Sequence, residues 1–167
     1  EPALREALYS RVKKAGYVLA TILSKGAFVS PYAKVGEGVF VFPGAVVEDN
    51  AVVEDDVCIA DHAVVAHDVH IGKHVCVEAQ SVVPGHVVVG DGAFIGIGAL
   101  LRDRVRVGAH AVVAMGAVVM RDRKRLAEDG MVVGVLPVSS HNGDLLSPPE
   151  IVTRGFVYVK ESEELLQ

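Results

Sequence analysis

The stretch AVVAHDVHIGKHV contains a histidine followed directly by an acid, His67-Asp68. An imidazole with its ordinary pKa of about 6.5 is mostly neutral at pH 7 and can take a proton from an attacking amine or hydroxyl. The carboxylate beside it can hold the ring and stabilise its cation. The same pair could also be a solvated histidine at a turn, so its meaning depends on the elements that position it.

A second candidate position lies further along the chain, where Gly85 precedes His86. A glycine allows a thioester to approach closely, and its backbone N–H can bind the oxyanion that forms at an attacked acyl carbonyl. Gly85 and His67 can act together only if the chain returns to one place after eighteen residues. The periodicity of the sequence therefore has to be established first.

A six-residue repeat runs through most of the chain, and such a period is typical of neither an isolated helix nor an isolated strand. A branched aliphatic residue recurs once in each unit, and the residue two positions before it is small or β-branched, from Ala27 to Ala117. Both positions share one face of a strand, so each unit is a short strand plus a corner, and the units stack into a parallel solenoid. Every sixth residue is a branched aliphatic: Val29, Val35, Val41, Val47, Val53, Ile59, Val65, Ile71, Val77, Val83, Val89, Ile95, Leu101, Val107, Val113 and Val119.

Gly often follows the aliphatic residue, as in Val35-Gly36 and Val107-Gly108, where the chain must bend. This pattern resembles the left-handed β-helix of the hexapeptide-repeat acyltransferases, in which three units form one triangular coil. The resemblance implies an all-β, left-handed parallel β-helix (hexapeptide-repeat solenoid) with a short N-terminal helix and a small α+β C-terminal extension. Its little more than five coils should rise roughly 25 Å at about 4.8 Å per coil.

The first 26 residues are predicted to form a helix and a strand that lead into the coils. Leu4, Leu8 and Val12 have helical spacing over residues 2–15, Gly16 is a suitable C-cap, and residues 17–23 are apolar. This entry resembles the end of the nucleotide-sugar-binding subdomain in acyltransferases of the sialic acid O-acetyltransferase and bacillosamine N-acetyltransferase type. Residues 1–26 are therefore expected to be a remnant of that subdomain, and residues 27–120 the β-helix.

Residues 121–167 break the repeat and resemble the C-terminal region of ribonuclease J, through RDRKRLAEDGMVV and PPEIVTRGFVYVKESEELL. We expect a charged, helical stretch over 122–128, strands over 131–138 and 154–159, and a short helix from Ser162. The His-x-His-x-Asp-His metal motif of that nuclease is absent from the sequence, so no nuclease chemistry is implied. Two unrelated resemblances joined near residue 120 indicate a composite chain.

The acyltransferase resemblance assigns roles to the candidate residues. It implies that His67 is the general base, that Asp68 orients it and that the Gly85 amide stabilises the oxyanion. The family carries Gly-Gly at this corner, so His86 replaces the second glycine and is expected beside the cofactor. No covalent acyl-enzyme is expected, because neither Cys58 nor Cys76 belongs to this corner.

Further contacts follow from the same resemblance. The family places a substrate-contacting histidine nine residues after the base, where this chain has Cys76, and His74 lies two residues earlier. His74 and Cys76 are therefore the expected substrate-binding positions. Gly96, Gly98 and Gly116 resemble positions at which the pantetheine arm of acetyl-CoA follows the edge of the prism.

The residue before each repeated aliphatic points outward. Grouping those outward residues that are eighteen positions apart, which is one coil, gives three faces. One face is wholly apolar and consists of Phe28, Val46, Val64, Val82, Leu100 and Val118. A second is also apolar and consists of Phe40, Cys58, Cys76, Phe94 and Val112. The third is mixed and consists of Lys34, Val52, His70, Val88 and Arg106. Exposed apolar faces favour association, and the resemblance implies a homotrimer of parallel prisms with active sites in the clefts.

Composition narrows the possible partners and location. The net charge of −5 over 167 residues gives no indication of a basic surface that would bind nucleic acid. No uninterrupted apolar run of about 18 residues predicts a membrane span, and no signal peptide is recognisable. Two cysteines are best interpreted as reduced thiols of a cytoplasmic protein.

The predicted function is transfer of an acetyl group from acetyl-CoA to an amine or hydroxyl of a sugar or nucleotide sugar. One alternative is a non-catalytic, trimerising β-helix scaffold. Another is a zinc site like that of the γ-carbonic anhydrases, which share this fold. Such a site resembles two histidines separated by two coils and a third five residues after the later one. His74 and His110 are two coils apart, but Met115 occupies the third position. His62 and His67 are five residues apart, but Gly26 occupies the position two coils before His62. No metal is therefore expected.

Overall fold

The computed structural model describes residues 2–119, 132–134 and 157–159. A helix, α1 (Pro2–Lys14), leads into short strands that recur every six residues and form three sheets. Sheet A contains β1 (Ile22–Leu23), β4 (Phe40–Val41), β7 (Cys58–Ile59), β10 (Cys76–Val77), β13 (Phe94–Ile95), β16 (Val112–Val113), β18 (Val132–Gly134) and β19 (Val157–Val159). Sheet B contains β2 (Phe28–Val29), β5 (Val46–Val47), β8 (Val64–Val65), β11 (Val82–Val83), β14 (Leu100–Leu101) and β17 (Val118–Val119). Sheet C contains β3 (Lys34–Val35), β6 (Val52–Val53), β9 (His70–Ile71), β12 (Val88–Val89) and β15 (Arg106–Val107).

Each coil of this solenoid returns to its starting sheet after eighteen residues. In sheet B, for example, Val64 pairs in parallel with Val46 on one side and with Val82 on the other. The same register holds in sheet A, where Cys76 pairs with Cys58 and with Phe94. Residues eighteen apart therefore lie one above the other, which is the relationship that the repeat predicts.

The interior of the prism is aliphatic and closely packed, as the repeat predicts. Ile59, Ile71 and Ile95 are completely buried, and the residues two positions earlier, Val57, Val69 and Ala93, are also inaccessible to solvent or nearly so. The alternation of a large and a small inward side chain suits a narrow triangular section, which a strict sequence of large residues would overfill.

The corners between the strands depend on left-handed backbone at one residue of many units. This residue is a glycine at several corners, but Asp68 (φ 56°) and His86 (φ 61°) take the same conformation. Non-glycine residues adopt this region at some cost, and the ladder on either side compensates for it. The backbone thereby fixes the direction of the Cα–Cβ bond at each corner.

Helix α1 forms where it was expected and ends at the expected C-cap. Gly16 has a φ of 83°, and the Tyr17 N–H donates to the Val12 carbonyl at 3.3 Å, which closes the C-terminus in a Schellman arrangement. Leu4 and Leu8 remain 57% and 46% exposed. The helix contacts the prism through the charged side chains of Arg5 and Lys13 and through the ring of Tyr9, which meets that of His74.

Two polar contacts fix α1 beside the edge between sheets C and A. Arg5 Nη2 donates to the carboxylate and to the backbone carbonyl of Asp56, each at 2.8 Å. Lys13 Nζ binds Glu37 at 2.7 Å. The predicted strand over 17–23 is shorter than expected, since only Ile22–Leu23 pair, in register with Phe40–Val41.

Sheet A is extended at its far end by the segment after the repeat. Val132 pairs in parallel with Val112, and β18 then pairs antiparallel with β19. These two strands fall inside the ranges predicted as strands, 131–138 and 154–159. The predicted helices over 122–128 and from Ser162 lie outside the described residues.

The described parts of the chain leave sheet B as the most open apolar face. Phe28, Leu100 and Val118 are exposed at the two ends of that face. On sheet A, Cys76 is buried, and exposure among the described side chains is confined to the first coils, at Ile22, Leu23 and Phe40. Among the described residues, no helix has the length and apolar character that crossing a membrane requires.

Candidate active site

The edge between sheets B and C, here called the BC edge, carries the candidate acid–base residues. The corner after β8 supplies His67 and Asp68, and the corner after β11 supplies Gly85 and His86. The His86 N–H donates to the His67 carbonyl at 3.2 Å, which joins the two corners directly. The four residues are thus neighbours because they are one coil apart.

His67 is held by an acid on each side. Its Nδ1 lies 2.9 Å from Asp68 Oδ2, and its backbone N–H donates to Glu48 Oε2 at 3.0 Å. The side chain is 54% exposed, so the ring stands at the surface of the edge. The contact through Nδ1 leaves Nε2 as the nitrogen available to another molecule.

Gly85 lies directly beneath the imidazole of His67. A β-carbon at this position would be 2.6 Å from Cε1 and 2.8 Å from Nε2 of the ring. Only a residue without a side chain leaves room for this position of the imidazole. Among the described residues, no hydrogen-bond partner is found for the Gly85 N–H.

His86 brings a second imidazole to the same carboxylate. Its ring contacts that of His67 edge to face, with centroids 5.3 Å apart and planes at 87°. Its Nδ1 lies 4.0 Å from Asp68 Oδ2. Asp68 thus lies between two histidines, and the hydrogen bond from His67, together with the charge of His86, holds the pKa of that carboxyl below its usual range.

A shallow, open groove of about 400 Å³ borders the base on its N-terminal side. Phe28, Glu48, Asp49 and His67 line it. Asp49 accepts a hydrogen bond of 2.5 Å from the Ser30 hydroxyl. The groove therefore combines one exposed aromatic ring with carboxylates, a lining that suits a hydroxyl-rich or amino-bearing ligand.

Sequence reasoning did not single out this groove, although a signal was present. Asp49 precedes His67 by eighteen residues and so occupies the same corner one coil earlier. Phe28 was recognised only as part of an apolar face. Applying the eighteen-residue spacing to the neighbours of His67 would have identified the acidic side of the groove.

The predicted substrate-binding residues lie away from the BC edge of the same chain. His74 is at the edge between sheets C and A, where its Nδ1 is 2.9 Å from Asp56 Oδ2 and its ring meets the edge of Tyr9 at 5.2 Å. Its side chain is only 12% exposed. Cys76 is buried on sheet A, and burial raises the pKa of its thiol.

The predicted pantetheine-contacting glycines lie along the third edge, between sheets A and B. Gly96 and Gly98 belong to the corner after β13, and Gly116 belongs to the corner after β16. Gly98 and Gly116 have positive φ values of 65° and 66° and open space where a side chain would be. The structure brings His67, Asp68, Gly85 and His86 together on one edge and aligns these glycines on another.

Several other polar pairs were not expected from the sequence. His70 Nε2 lies 2.8 Å from Glu54 Oε1 on sheet C. The rings of His62 and His110 pack over glycines of the preceding coil, Gly44 and Gly92. These contacts stabilise corners, so the number of histidines in the sequence is not by itself evidence that they take part in catalysis or metal binding.

Two protein families match different parts of the chain. The family described as bacterial transferase hexapeptide (six repeats) matches residues 32–67, 50–85 and 86–121, more than half of the chain in total. The ribonuclease J C-terminal domain matches residues 118–167. The two matches meet where the repeat ends.

Solved structures with the same coils include sugar acetyltransferases. The acetyltransferase domain of PglB from Neisseria gonorrhoeae is 29% identical with a TM-score of 0.76, over 80% of this chain and 63% of that one. PerB from Caulobacter crescentus, solved with CoA and GDP-perosamine, is 32% identical with a TM-score of 0.75, over 80% of this chain and 62% of that one. The fold is the left-handed parallel β-helix that the repeat and its resemblance predicted.

Sequence relatives match through the other family. Ribonuclease J2 of Bacillus subtilis is 41% identical over 81 residues, which is 48% of this chain and 13% of that protein. Ribonuclease J 2 of Streptococcus pyogenes is 36% identical over 81 residues, or 15% of its length. The chain therefore spans only a small part of these curated relatives, and the composite description from the sequence is confirmed.

Proposed function

The chain belongs to the bacterial hexapeptide-repeat transferases and ends in a ribonuclease J C-terminal segment, and from this premise we propose that it transfers an acetyl group from acetyl-CoA to a sugar. The acceptor is an amine or hydroxyl of a sugar or nucleotide sugar. The observation that carries the proposal is the position of the His67 ring over Gly85 with Asp68 bound to its Nδ1. Two solved neighbours, one with acetyl coenzyme A and one with CoA and a GDP-sugar, support the choice of donor and acceptor.

His67 is the proposed general base. With Asp68 ionised, the Nδ1–H of the ring donates to the carboxylate over 2.9 Å, and Nε2 carries the lone pair that accepts the proton. The lowered pKa of Asp68 keeps this acid ionised at neutral pH. Asp68 acts through His67 and is therefore a positioning residue.

The Gly85 amide is the proposed oxyanion donor. Its N–H has no hydrogen-bond partner among the described residues, and it lies immediately beneath the base. A buried backbone N–H without a partner costs free energy, which a developing oxyanion would recover. The interaction strengthens as negative charge appears on the acyl oxygen, so it favours the transition state over the ground state.

Transfer is proposed to be direct. The acceptor nitrogen or oxygen attacks the thioester carbonyl carbon, a C–N or C–O bond forms, and His67 Nε2 takes the acceptor proton. Collapse of the tetrahedral oxyanion breaks the C–S bond, and the CoA sulfur leaves with the proton that His67 returns. Cys58 and Cys76 take no part, because both lie on sheet A and burial raises the pKa of each thiol.

A homotrimer is proposed to complete the site. Sheet B lies between the BC edge and the edge that carries Gly96, Gly98 and Gly116. If the apolar sheet B faces a threefold axis, the BC edge of each subunit meets the glycine edge of the next. Acetyl-CoA would then lie between the two edges, with His86 beside it and the acceptor in the groove of Phe28, Glu48 and Asp49. Two free thiols fit a cytoplasmic location, where acetyl-CoA is available.

A second candidate function is a non-catalytic, trimerising scaffold. The observation that favours it is the match of residues 118–167 to the ribonuclease J C-terminal domain, a family unrelated to acyl transfer. In this case the coils would only present three copies of that segment. His74 and Cys76, remote from the BC edge of their own chain, would then have purely structural roles.

The two candidates are separated by one assay on the full chain. Acetyl transfer from acetyl-CoA to amino-sugar nucleotides is compared for the unmodified protein, His67→Ala and His110→Asn. Loss of a general base should reduce kcat by about 10²- to 10⁴-fold in His67→Ala, and His110→Asn should retain the full rate. Equal rates in all three proteins would remove the base assignment, and a trimer with no transfer to any acceptor would favour the scaffold.

A further inference from the structure

Three metal-binding side chains converge on the BC edge. The ligating atoms of His67, Asp68 and His86 all lie within 4.8 Å of one another. Asp68 Oδ2 is 2.9 Å from His67 Nδ1 and 4.0 Å from His86 Nδ1. Within the described residues, no other group of three such side chains is found.

The distances suit a small divalent transition metal ion. Ligands at about 2.0 to 2.1 Å in a tetrahedron are about 3.3 Å apart, and the two measured separations lie on either side of that value. Two imidazoles and a carboxylate form a donor set that Zn²⁺ and Co²⁺ accept readily. The remaining separation, between the two histidine nitrogens, is at most 4.8 Å, so the exposed rings have to rotate to bring all three atoms to one ion.

The backbone holds the three side chains in this arrangement. Asp68 and His86 have left-handed backbone, with φ values of 56° and 61°. The Asp68 N–H donates to the Asp49 carbonyl at 3.1 Å, and the His86 N–H donates to the His67 carbonyl at 3.2 Å. Because the corners are tied to the coils above and below, the backbone of the three ligands is already ordered in the folded chain.

The site is open to solvent on its outer side. The side chains of His67, Asp68 and His86 are 54%, 40% and 42% exposed. An ion bound by three protein ligands in such a place keeps a free coordination position for water. The site can therefore load and unload without rearrangement of the coils.

We propose that His67, Asp68 and His86 form a binding site for a divalent transition metal ion, of which Zn²⁺ is the best fit, and that occupation of this site stops acyl transfer. The inhibitory part rests on the proposed function, whereas the binding part does not. The third ligand comes from His86, which replaces a glycine of the acyltransferase pattern.

The chemistry of inhibition follows from the tautomer of His67. The ion takes the Nδ1 lone pair, so the proton that Nδ1 shared with Asp68 must move to Nε2. A ring with its proton on Nε2 cannot accept one from the acceptor group. The ion also removes the Asp68 carboxylate from its role beside the base. Apart from the coordinate bonds, only the Nδ1–H bond breaks and an Nε2–H bond forms, with water carrying the proton between the two nitrogens.

The binding test is a Co²⁺ titration of the full chain at pH 7.5, followed by the visible absorption of the ion and by displacement with Zn²⁺. His86→Asn should bind about tenfold more weakly or worse, since loss even of an outer-shell partner costs that much. His110→Asn is the matched control, because His110 is also a corner histidine with left-handed backbone (φ 55°), and it should bind like the unmodified protein. No saturation below about 1 mM, or equal affinity of His86→Asn and the unmodified protein, would overturn the site.

The activity test separates this proposal from the proposed function. Zn²⁺ should lower acetyl transfer in proportion to occupancy, a chelator should restore it, and His86→Asn should need about tenfold more Zn²⁺ for the same loss. Binding with undiminished transfer would overturn the inhibition. Binding of Co²⁺ without transfer by any variant would reject the acyltransferase and retain the metal site, and transfer without binding would do the reverse.

Discussion

The imidazole of His67 lies over the α-carbon of Gly85, so close that a β-carbon there would approach Cε1 to 2.6 Å. The contact joins two residues that are eighteen positions apart and occupy equivalent corners of successive coils. It ties the position of the candidate base to the absence of a side chain beneath it. The geometry therefore predicts what a single methyl group at Gly85 would do.

Gly85→Ala should displace the ring of His67 and reduce kcat by about 10²-fold, because an error of about 1 Å at a reacting group costs that much. Stability should change little, since the exposed ring can swing outward. Gly92→Ala is the control for activity, because the ring of His110 packs over Gly92 at another edge. Gly92, unlike Gly85, has a positive φ, so this control should lose more stability than Gly85→Ala. The transfer rate measures the activity, and circular dichroism melting curves measure the stability of each variant. Equal losses of activity in the two variants would contradict the role of this contact.

Val82→Glu should break the proposed trimer. Val82 points outward from sheet B, and three carboxylates brought together at an apolar axis repel one another without compensation. Val88→Glu, six residues later on sheet C and equally half-buried, should leave the assembly intact. Sedimentation velocity at several concentrations measures the outcome, and a trimer of the Val82 variant would rule out sheet B as the interface.

Arg5→Ala should lower the free energy of unfolding by about 1.5 to 3 kcal/mol, the range for hydrogen bonds to a charged group. Arg5 makes two hydrogen bonds to Asp56, which is nearly inaccessible to solvent and also binds His74. Leu4→Ala should change stability by less than about 0.5 kcal/mol, because Leu4 is exposed. Hydrogen exchange of the α1 amides gives a second readout, and faster exchange in the Leu4 variant than in the Arg5 variant would contradict the polar docking of the helix.

Alkaline pH should weaken the fold through Cys58, whose pKa burial raises to about 11. A raised pKa means that the folded chain holds the thiol proton more tightly than the unfolded chain. This contribution is complete below the unfolded pKa of about 9 and is lost as the pH rises to about 11.

Urea midpoints measured between pH 8 and pH 11 should therefore fall less steeply for Cys58→Ala than for the unmodified protein. The thiol should also react slowly with a disulfide reagent at pH 8 until urea is added. Parallel pH profiles for the two proteins, or rapid reaction of the native thiol, would show that Cys58 is not desolvated as the structure indicates.

The coils could be predicted from the sequence because their period is strict. Val64 and Val82 lie one above the other for the same reason that every sixth residue is aliphatic, so the spacing alone assigns each outward residue to a sheet. The proximity of His67 and Gly85 follows from the same count. What the count cannot supply is the handedness of the coil, which came from the resemblance to a known family.

The docking of α1 could not be predicted, because its partners are remote in sequence and polar. Leu4 and Leu8 suggest an apolar contact, yet Arg5 and Lys13 make the contacts with Asp56 and Glu37. The pair of His74 and Asp56 could have been found, since the two residues are eighteen apart. Helical spacing indicates which residues share a face but not which face is used.

His67 and Gly85 follow the third and fourth of the six strands of sheet B, in the middle of the stack. In a solenoid each coil is held only by its neighbours, so the outermost coils open first. Loosening that begins at either end must pass through complete coils before it reaches these residues. The corner that carries the candidate chemistry is thus insulated from local unfolding, and hydrogen exchange should fall from both ends toward it.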